Sequence, residues 1–409
     1  MINLPTIPER VSRPMSLMSW APEARLLLTL TLLWLAFGLL VLFSASVPVG
    51  LMQYGDGLRF FNRQALGALL GLGGLALACR VPLERWFRIA LLVFPLLVVL
   101  IVLVKVPGIG VELNGARRWF QIGPLSVQPS ELVKPFLLLL GSLVLARWPR
   151  LPGWWRVVSV AVMGLAIGGV LIQPDLGTAV LLASVLWCLA FISGFNLFGL
   201  FLLVGLGGGV AWWKISTTAY QMNRIQAFMD PWAAPQAEGY QLIQSLLAVG
   251  SGGITGSGFG LSLQKASSLP YPYSDFIFAV FAEEFGLLGT LAFVAFLLVF
   301  LVAGLRVAIK CTDPARRLLA AGATLLLVGQ AFLHIGVVAA ALPPKGIPLP
   351  LVSYGGSGLI ASLLCFGLLI RAAREINTGD VLVWLPRRHR ARLRPRTFVP
   401  PRRVAVRSR

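Results

Sequence analysis

Long apolar runs separated by short polar stretches dominate the chain. Ten segments stand out, at roughly 26–47, 64–79, 87–106, 131–147, 155–172, 176–194, 197–214, 276–303, 318–342 and 357–374. They are rich in Leu, Val, Ala, Gly and Phe, and several run 17 or more residues almost without interruption. A bilayer core needs about 20 apolar residues per spanning helix, and lipid leaves no partner for an unpaired backbone group. The pattern therefore predicts an all-α polytopic membrane protein of about ten transmembrane helices rather than buried strands. Arg88 and Lys105 bound the third run, and the eighth is long enough to tilt or to begin outside the bilayer core.

The polar segments give the runs a direction. Of 35 Lys and Arg residues, 25 fall on the side of the two termini when the spans alternate. The positive-inside rule makes that side cytoplasmic. Residues 1–25 then form a cytoplasmic N-terminal tail, 26–376 the transmembrane domain, and 377–409 an Arg-rich arm, expected to be disordered near an anionic leaflet. No small-residue cleavage site follows the basic N-terminus, so the first run is expected to stay as a span. Two outer connections are long, at about 107–130 and, between the seventh and eighth helices, about 215–275. Loops of that length are commonly functional or disordered. Nine of the 15 acidic residues lie on the outer side or in outer helix halves, a hint of chemistry there.

Composition narrows the class. The 409 residues are 57% apolar and 12% charged, against about 25% charged in soluble domains, which excludes an ordinary soluble enzyme and a disordered chain. The net charge of +20 comes from basic residues scattered between apolar runs and from the tail. A nucleic-acid binder would gather them on a face, so the partners expected from charge are membrane lipids. Cys79, Cys188, Cys311 and Cys365 form no C-x-x-C pair, which argues against a disulfide framework or zinc site.

Ionisable groups in spanning helices are costly and mark sites or structural pairs. Glu131 and Lys134 are three apart and share a helix face. Either they pin two helices together, or they join Arg117, Arg118 and Arg63 in an outer cationic cluster suited to a diphosphate. Arg63 would equally snorkel to headgroups. Asp175, after Gln173-Pro174, suits a helix N-cap. Asp275 ends the long loop behind two prolines, where it would act as an N-cap or as a general base. Glu283 falls about 80° round and roughly 12 Å along a helix from Asp275, and Glu284 faces nearly opposite it. The glycine strings at 250–260 and 355–358 match no phosphate loop and are expected to serve turns and close packing.

Several motifs recur together: FSAS at 43–46, FFNRQ at 60–64, NGARRWFQIGPLSVQPSELVK at 114–134, QPDLGTAV at 173–180, GYQLIQSLLAVGSGGITGSGFGLSLQK at 239–265, SDFIFAVFAEEFG at 274–286 and LPPKGIPLPLVSYGGSG at 342–358. In this order, from about Ser44 to Arg374, the chain resembles the SEDS family of shape, elongation, division and sporulation proteins. Lys345 and the string from Gly239 look more like its FtsW division branch than its RodA elongation branch. The resemblance implies a multi-pass protein of the bacterial inner membrane, placed at the division site. Its activity would be that of an inverting glycosyltransferase polymerising lipid II into β-1,4 peptidoglycan strands with release of undecaprenyl diphosphate. It maps the family's essential acid onto Asp275, its glutamate and lysine onto Glu131 and Lys134, its Arg-Gln pair onto Arg63 and Gln64, and its QPDLGT acid onto Asp175. Arg117, Arg118, Gln244, Lys345 and Ser353 join the expected substrate-binding set. The implied partners are lipid II and undecaprenyl diphosphate-linked glycan, a class B penicillin-binding protein transpeptidase and other division proteins. No cofactor is implied beyond a divalent cation, Mg or Mn, sharing the leaving group's charge, and the sequence shows no metal-ligand cluster. The family's usual His-Thr is Tyr273-Ser274 here, its ninth-span Asn is His334, its common Leu before Leu-Pro is Ala341, and its SYGGSS ends as SYGGSG. RodA-like elongation, a lipid II flippase and a division scaffold are the alternatives.

Overall fold

The computed structural model describes residues 20–376 except 114, 115, 124, 174, 238 and 345. The expected N-terminal tail, up to 19, and the Arg-rich arm lie outside the described residues, as does Lys345. Every apolar run folds as helix. In chain order these are α1 (Pro22–Tyr54), α2 (Arg59–Arg80), α3 (Leu83–Leu103), α4 (Pro129–Arg147), α5 (Gly153–Ile172), α6 (Leu176–Ile192) and α7 (Leu197–Ser216). The short α8 (Ala219–Met229), α9 (Tyr240–Ser251) and α10 (Gln264–Ser267) follow, then α11 (Ile277–Lys310), α12 (Pro314–Val338) and α13 (Gly356–Arg374). Among the described residues, eight helices are long and apolar enough to cross a membrane. Of the two other long ones, α6 is apolar but has 17 residues, and α2 carries Arg59, Arg63 and Arg80 among its 22. The chain is an all-α polytopic membrane protein.

Local chemistry sets the helix ends. Proline occupies the first turn of α1, α4 and α12, where its missing N–H costs nothing. The side chains of Asp175, Asn196 and Asp313 cap α6, α7 and α12. At one end of the bundle, Glu23 of α1 pairs with Lys310 of α11, and Arg316 of α12 pairs with Glu84 of α3 and Glu375 beyond α13. That end collects the basic connections and lies opposite the site described below.

Packing follows from small and aromatic residues. Along the seam of α2 and α13, a Cβ on Gly71 would come within 2.5 Å of Leu363, and one on Gly367 within 2.9 Å of the Leu75 carbonyl. Such close approach is how helices associate where no water drives them together. Trp34 is fully buried and meets Phe293, Phe296, Phe300 and Phe366 edge-on at 5.5–6.1 Å. By contrast, α7 leaves Phe201, Leu203 and Trp212 largely exposed, as a lipid-facing helix does.

Three features go beyond the sequence reading. The first long connection is not structureless: β1 (Val111–Leu113), β2 (Ala116–Ile122) and β3 (Leu125–Val127) form an antiparallel sheet in the order β1-β2-β3. The register pairs Glu112 with Arg117 and Gln121 with Ser126. The second long connection likewise holds α8, α9 and α10. Finally, the eighth run is not one straight helix. Gly286 takes φ 64° and ψ −163° inside α11, a region essentially confined to glycine. A Cβ there would sit 2.4 Å from the Gly256 nitrogen. The break divides α11 into a buried segment, 277–285, and the long helix that follows.

Candidate active site at the end opposite the basic connections

Asp275 stands two residues before α11. The N-cap position belongs to Phe276, and no side chain caps the helix, so the capping role expected for Asp275 does not apply. The backbone around it is held from both sides. Tyr354 N donates to the Tyr273 carbonyl at 2.9 Å, and Ser353 Oγ donates to the Ser274 carbonyl at 2.7 Å. Tyr273 stacks on Phe60 at 4.3 Å. Below, Phe276, Ile277, Ala279 and Val280 are buried, while Asp275 itself is partly exposed. Gly346 lies against it: a Cβ there would be 3.6 Å from Asp275 Oδ2.

Three charged residues from distant segments act electrostatically on this carboxylate. Arg118 on β2 lies 3.8 Å from Asp175, whose other oxygen accepts Thr178 N at 3.1 Å and so caps α6. Asp175 is therefore both the predicted N-cap and a member of the charged group. Arg224 on α8 donates to the Pro344 carbonyl at 3.2 Å. Burial pushes the Asp275 carboxyl above the ordinary range; Arg224 opposes this, Asp175 reinforces it and Arg118 opposes it. Burial also raises the neighbouring Tyr273 hydroxyl to about 12, which leaves it protonated at neutral pH. The arrangement is one partly exposed carboxylate within the electrostatic reach of two guanidinium groups, able to accept a proton beside a site for negative charge.

Gln64 and Ser353 are buried and tie this ledge together. Gln64 donates to the Ser353 carbonyl at 3.1 Å and accepts from Gly355 N at 3.0 Å, and Ser353 Oγ also accepts from Leu349 N. Both hold the loop that carries the Asp275 backbone. Glu131 and Lys134 form a separate, buried group. Lys134 Nζ donates to both Glu131 oxygens at 2.7 Å and to Gln330 Oε1 at 3.1 Å, using all three donors of an ammonium. Gln330 in turn donates to the Pro348 carbonyl.

The expected cationic cluster is thus divided. Lys134 is engaged inside the bundle, Arg117 pairs with Glu112 at 3.0 Å, and only Arg118 reaches the Asp275 group. Arg63 is exposed on the first turns of α2 and makes no ion pair among the described residues. Gln244 lies partly buried on α9 and joins none of these groups among the described residues. Sequence reasoning missed Arg224 and Gln330, single polar residues in no motif with an obvious charge partner. It also left unused Glu283 and Glu284, although two acids inside an apolar run are a costly arrangement.

Among the described residues no group of three or more His, Cys, Asp or Glu could hold a metal ion. Two carboxylates, each faced by an arginine, are a poor donor set for a resident Mg or Mn, which favours several oxygen ligands.

The cell cycle protein model that groups FtsW, RodA and SpoVE matches residues 24–378. The probable peptidoglycan glycosyltransferase FtsW of Synechocystis sp. is 44% identical over 363 residues, covering 89% of this chain and 92% of that one. The putative FtsW of Mesostigma viride is 41% identical, with 88% and 87% covered. Among solved structures, a chain from a peptidoglycan synthase complex superposes with a TM-score of 0.70 at 28% identity, covering 88% of this chain and 99% of that one. Rod shape determining protein RodA of Thermus thermophilus does so at 0.63 with the same identity and coverage. With most of both chains aligned and the charged group of Asp275 at the helix bundle's outer end, the chain belongs to the FtsW/RodA/SpoVE family of cell cycle proteins.

Proposed function

We propose that this chain is an inverting peptidoglycan glycosyltransferase that polymerises lipid II at the division septum, working with a class B penicillin-binding protein. The observation that carries the reading is the partly exposed Asp275 at the end opposite the basic connections, its carboxylate under the opposing charges of Arg224 and Arg118. The names of the relatives support peptidoglycan synthesis and the division branch. In the reaction, Asp275 accepts the proton of the acceptor GlcNAc 4-hydroxyl as that oxygen attacks C1 of the donor MurNAc. The C1–O bond to undecaprenyl diphosphate breaks, and its electrons leave on the diphosphate. Arg118 and Arg224 stabilise that charge where it develops. Gln64 and Ser353 keep the backbone carrying the base in place.

The full-length protein, reconstituted with its transpeptidase partner and labelled lipid II, is expected to yield a ladder of glycan chains. Labelled lipid crossing the vesicle without ladders would identify a flippase instead, and neither product would leave a scaffold. In cells, depletion is expected to give filaments; round cells would place the protein in elongation.

The rate should also carry the electrostatics of the site. Asp275 works only when ionised, so polymerisation falls as pH drops through its raised pKa. Arg224→Ala removes the first of the two cations that hold that pKa down, so the midpoint of the acid limb is expected to move to higher pH. An unchanged or lower midpoint counts against the assignment of Asp275 as base.

A further inference from the structure

A second set of bonded, buried charges lies away from Asp275. They close the other end of the same short helical segment, 277–285. Glu283 and Glu284 are buried, with 3% and 2% exposure, and Lys265 with 5%. Lys265 Nζ donates to Glu284 Oε1 at 2.5 Å and to Ser44 Oγ of α1 at 2.8 Å, and Ser44 Oγ donates to Glu284 Oε1 at 2.6 Å. The three side chains form a closed triangle. Beside it, Glu283 accepts from Ser262 Oγ at 2.5 Å and from Leu263 N at 2.9 Å. Backbone bonds complete the attachment: Ser257 N to the Glu283 carbonyl, Gly258 N to the Glu284 carbonyl, Leu287 N to the Gly253 carbonyl and Leu288 N to the Ile254 carbonyl. The loop 253–265 is thereby fastened to α11 at the Gly286 break.

A buried ion pair is weak evidence for stability, because well-packed apolar residues of the same volume often do as well. Its distinctive property is direction. Apolar neighbours tolerate a small rotation of a helix, whereas a closed triangle of directional bonds is satisfied at one rotation and one height. Segment 277–285 is buried from Ile277 to Glu284, a stretch of only about 10 Å, so it moves as a rod. Asp275 extends from its opposite end, where Tyr354 N and Ser353 Oγ hold the backbone carbonyls of Tyr273 and Ser274.

We propose that Lys265, Glu284 and Ser44 are positioning residues for Asp275, setting the rotation and height of segment 277–285 and so the aim of the carboxylate. They touch neither substrate nor the reacting atoms, and their role rests on Asp275 being the base. A misplacement of about 1 Å can cost on the order of 10²-fold in rate, so the interaction is read in kcat.

The decisive variant is Lys265→Met with Glu284→Met, which removes both charges together and leaves none unpaired. The full chain, with its transpeptidase partner and lipid II, is compared with Asp275→Asn in the same assay. The expected result is a melting temperature at or above that of the unaltered protein, an unchanged KM, and a kcat about 10–10²-fold lower. An unaltered kcat while Asp275→Asn is inert overturns the positioning role alone. Full activity of Asp275→Asn overturns the base assignment and this role with it. A fall in kcat matched by a fall in melting temperature marks a purely structural clamp and also overturns the proposal. Should the double variant fail to fold, Ser44→Ala keeps the ion pair. There a several-fold loss of kcat at constant KM and melting temperature supports positioning, and no loss overturns it.

Discussion

Asp275→Asn is expected to lower glycan polymerisation by about 10²–10⁴-fold, the usual contribution of a positioned general base, while leaving the protein no less stable. The two halves of this result have one cause. Burial holds the Asp275 carboxyl above its ordinary pKa despite Arg224 and Arg118. A carboxyl whose folded-state pKa exceeds its unfolded value binds protons more tightly in the folded state. Its contribution to stability is therefore complete below the unfolded value of about 3.9 and is lost as pH rises toward the folded value. At neutral pH the charged form costs stability, and asparagine, which fills the same space without a charge, escapes that cost. Melting curves at pH 7 should place Asp275→Asn level with the unaltered protein or above it, with the gap closing at low pH. A glycan yield within a few-fold of normal would remove Asp275 from the mechanism. A large fall in melting temperature would mean that the loss of activity reflects folding.

The second large effect concerns the pair inside the bundle. Lys134→Met leaves Glu131 as an unpaired charge among buried groups, and breaking such a pair typically costs about 3–5 kcal/mol. Adding Glu131→Gln removes the stranded charge, and most of the loss should return. Thermal unfolding in detergent reads both variants; equal losses in the single and the double variant would refute pairing as the cause. The same proteins address substrate binding. All three Lys134 donors serve Glu131 and Gln330, so the double variant should keep its KM for lipid II. A KM raised tenfold or more would return Lys134 to the diphosphate clamp and imply that the pair opens when substrate arrives.

The helices were legible because lipid imposes a simple requirement on sequence. The runs read at 131–147, 155–172 and 357–374 fold as Pro129–Arg147, Gly153–Ile172 and Gly356–Arg374, within two residues at each end. The sheet was not legible, since strands of three to seven residues are too short for a period of two to rise above a polar loop. Asp175 shows how local chemistry and site chemistry overlap. Its N-cap role was readable from Pro174 and the apolar run after it, but its place beside Arg118 depended on a strand that had not been foreseen.

What the amino-acid sequence determined alone was the solvent, the places of the long helices along the chain, and the acid most exposed to suspicion. These depend on composition and on spacing along one chain, and each residue contributes to them independently of distant ones. Only the tertiary structure decided which charges work together. It separated Lys134 from the expected clamp, put Arg224 and Arg118 within electrostatic reach of Asp275, bent α11 at Gly286, and set Lys265 and Ser44 against Glu284. The reason is physical: a buried charge acquires its role from whichever partner removes its desolvation cost, and that partner is chosen by packing across hundreds of residues rather than by neighbours in the chain.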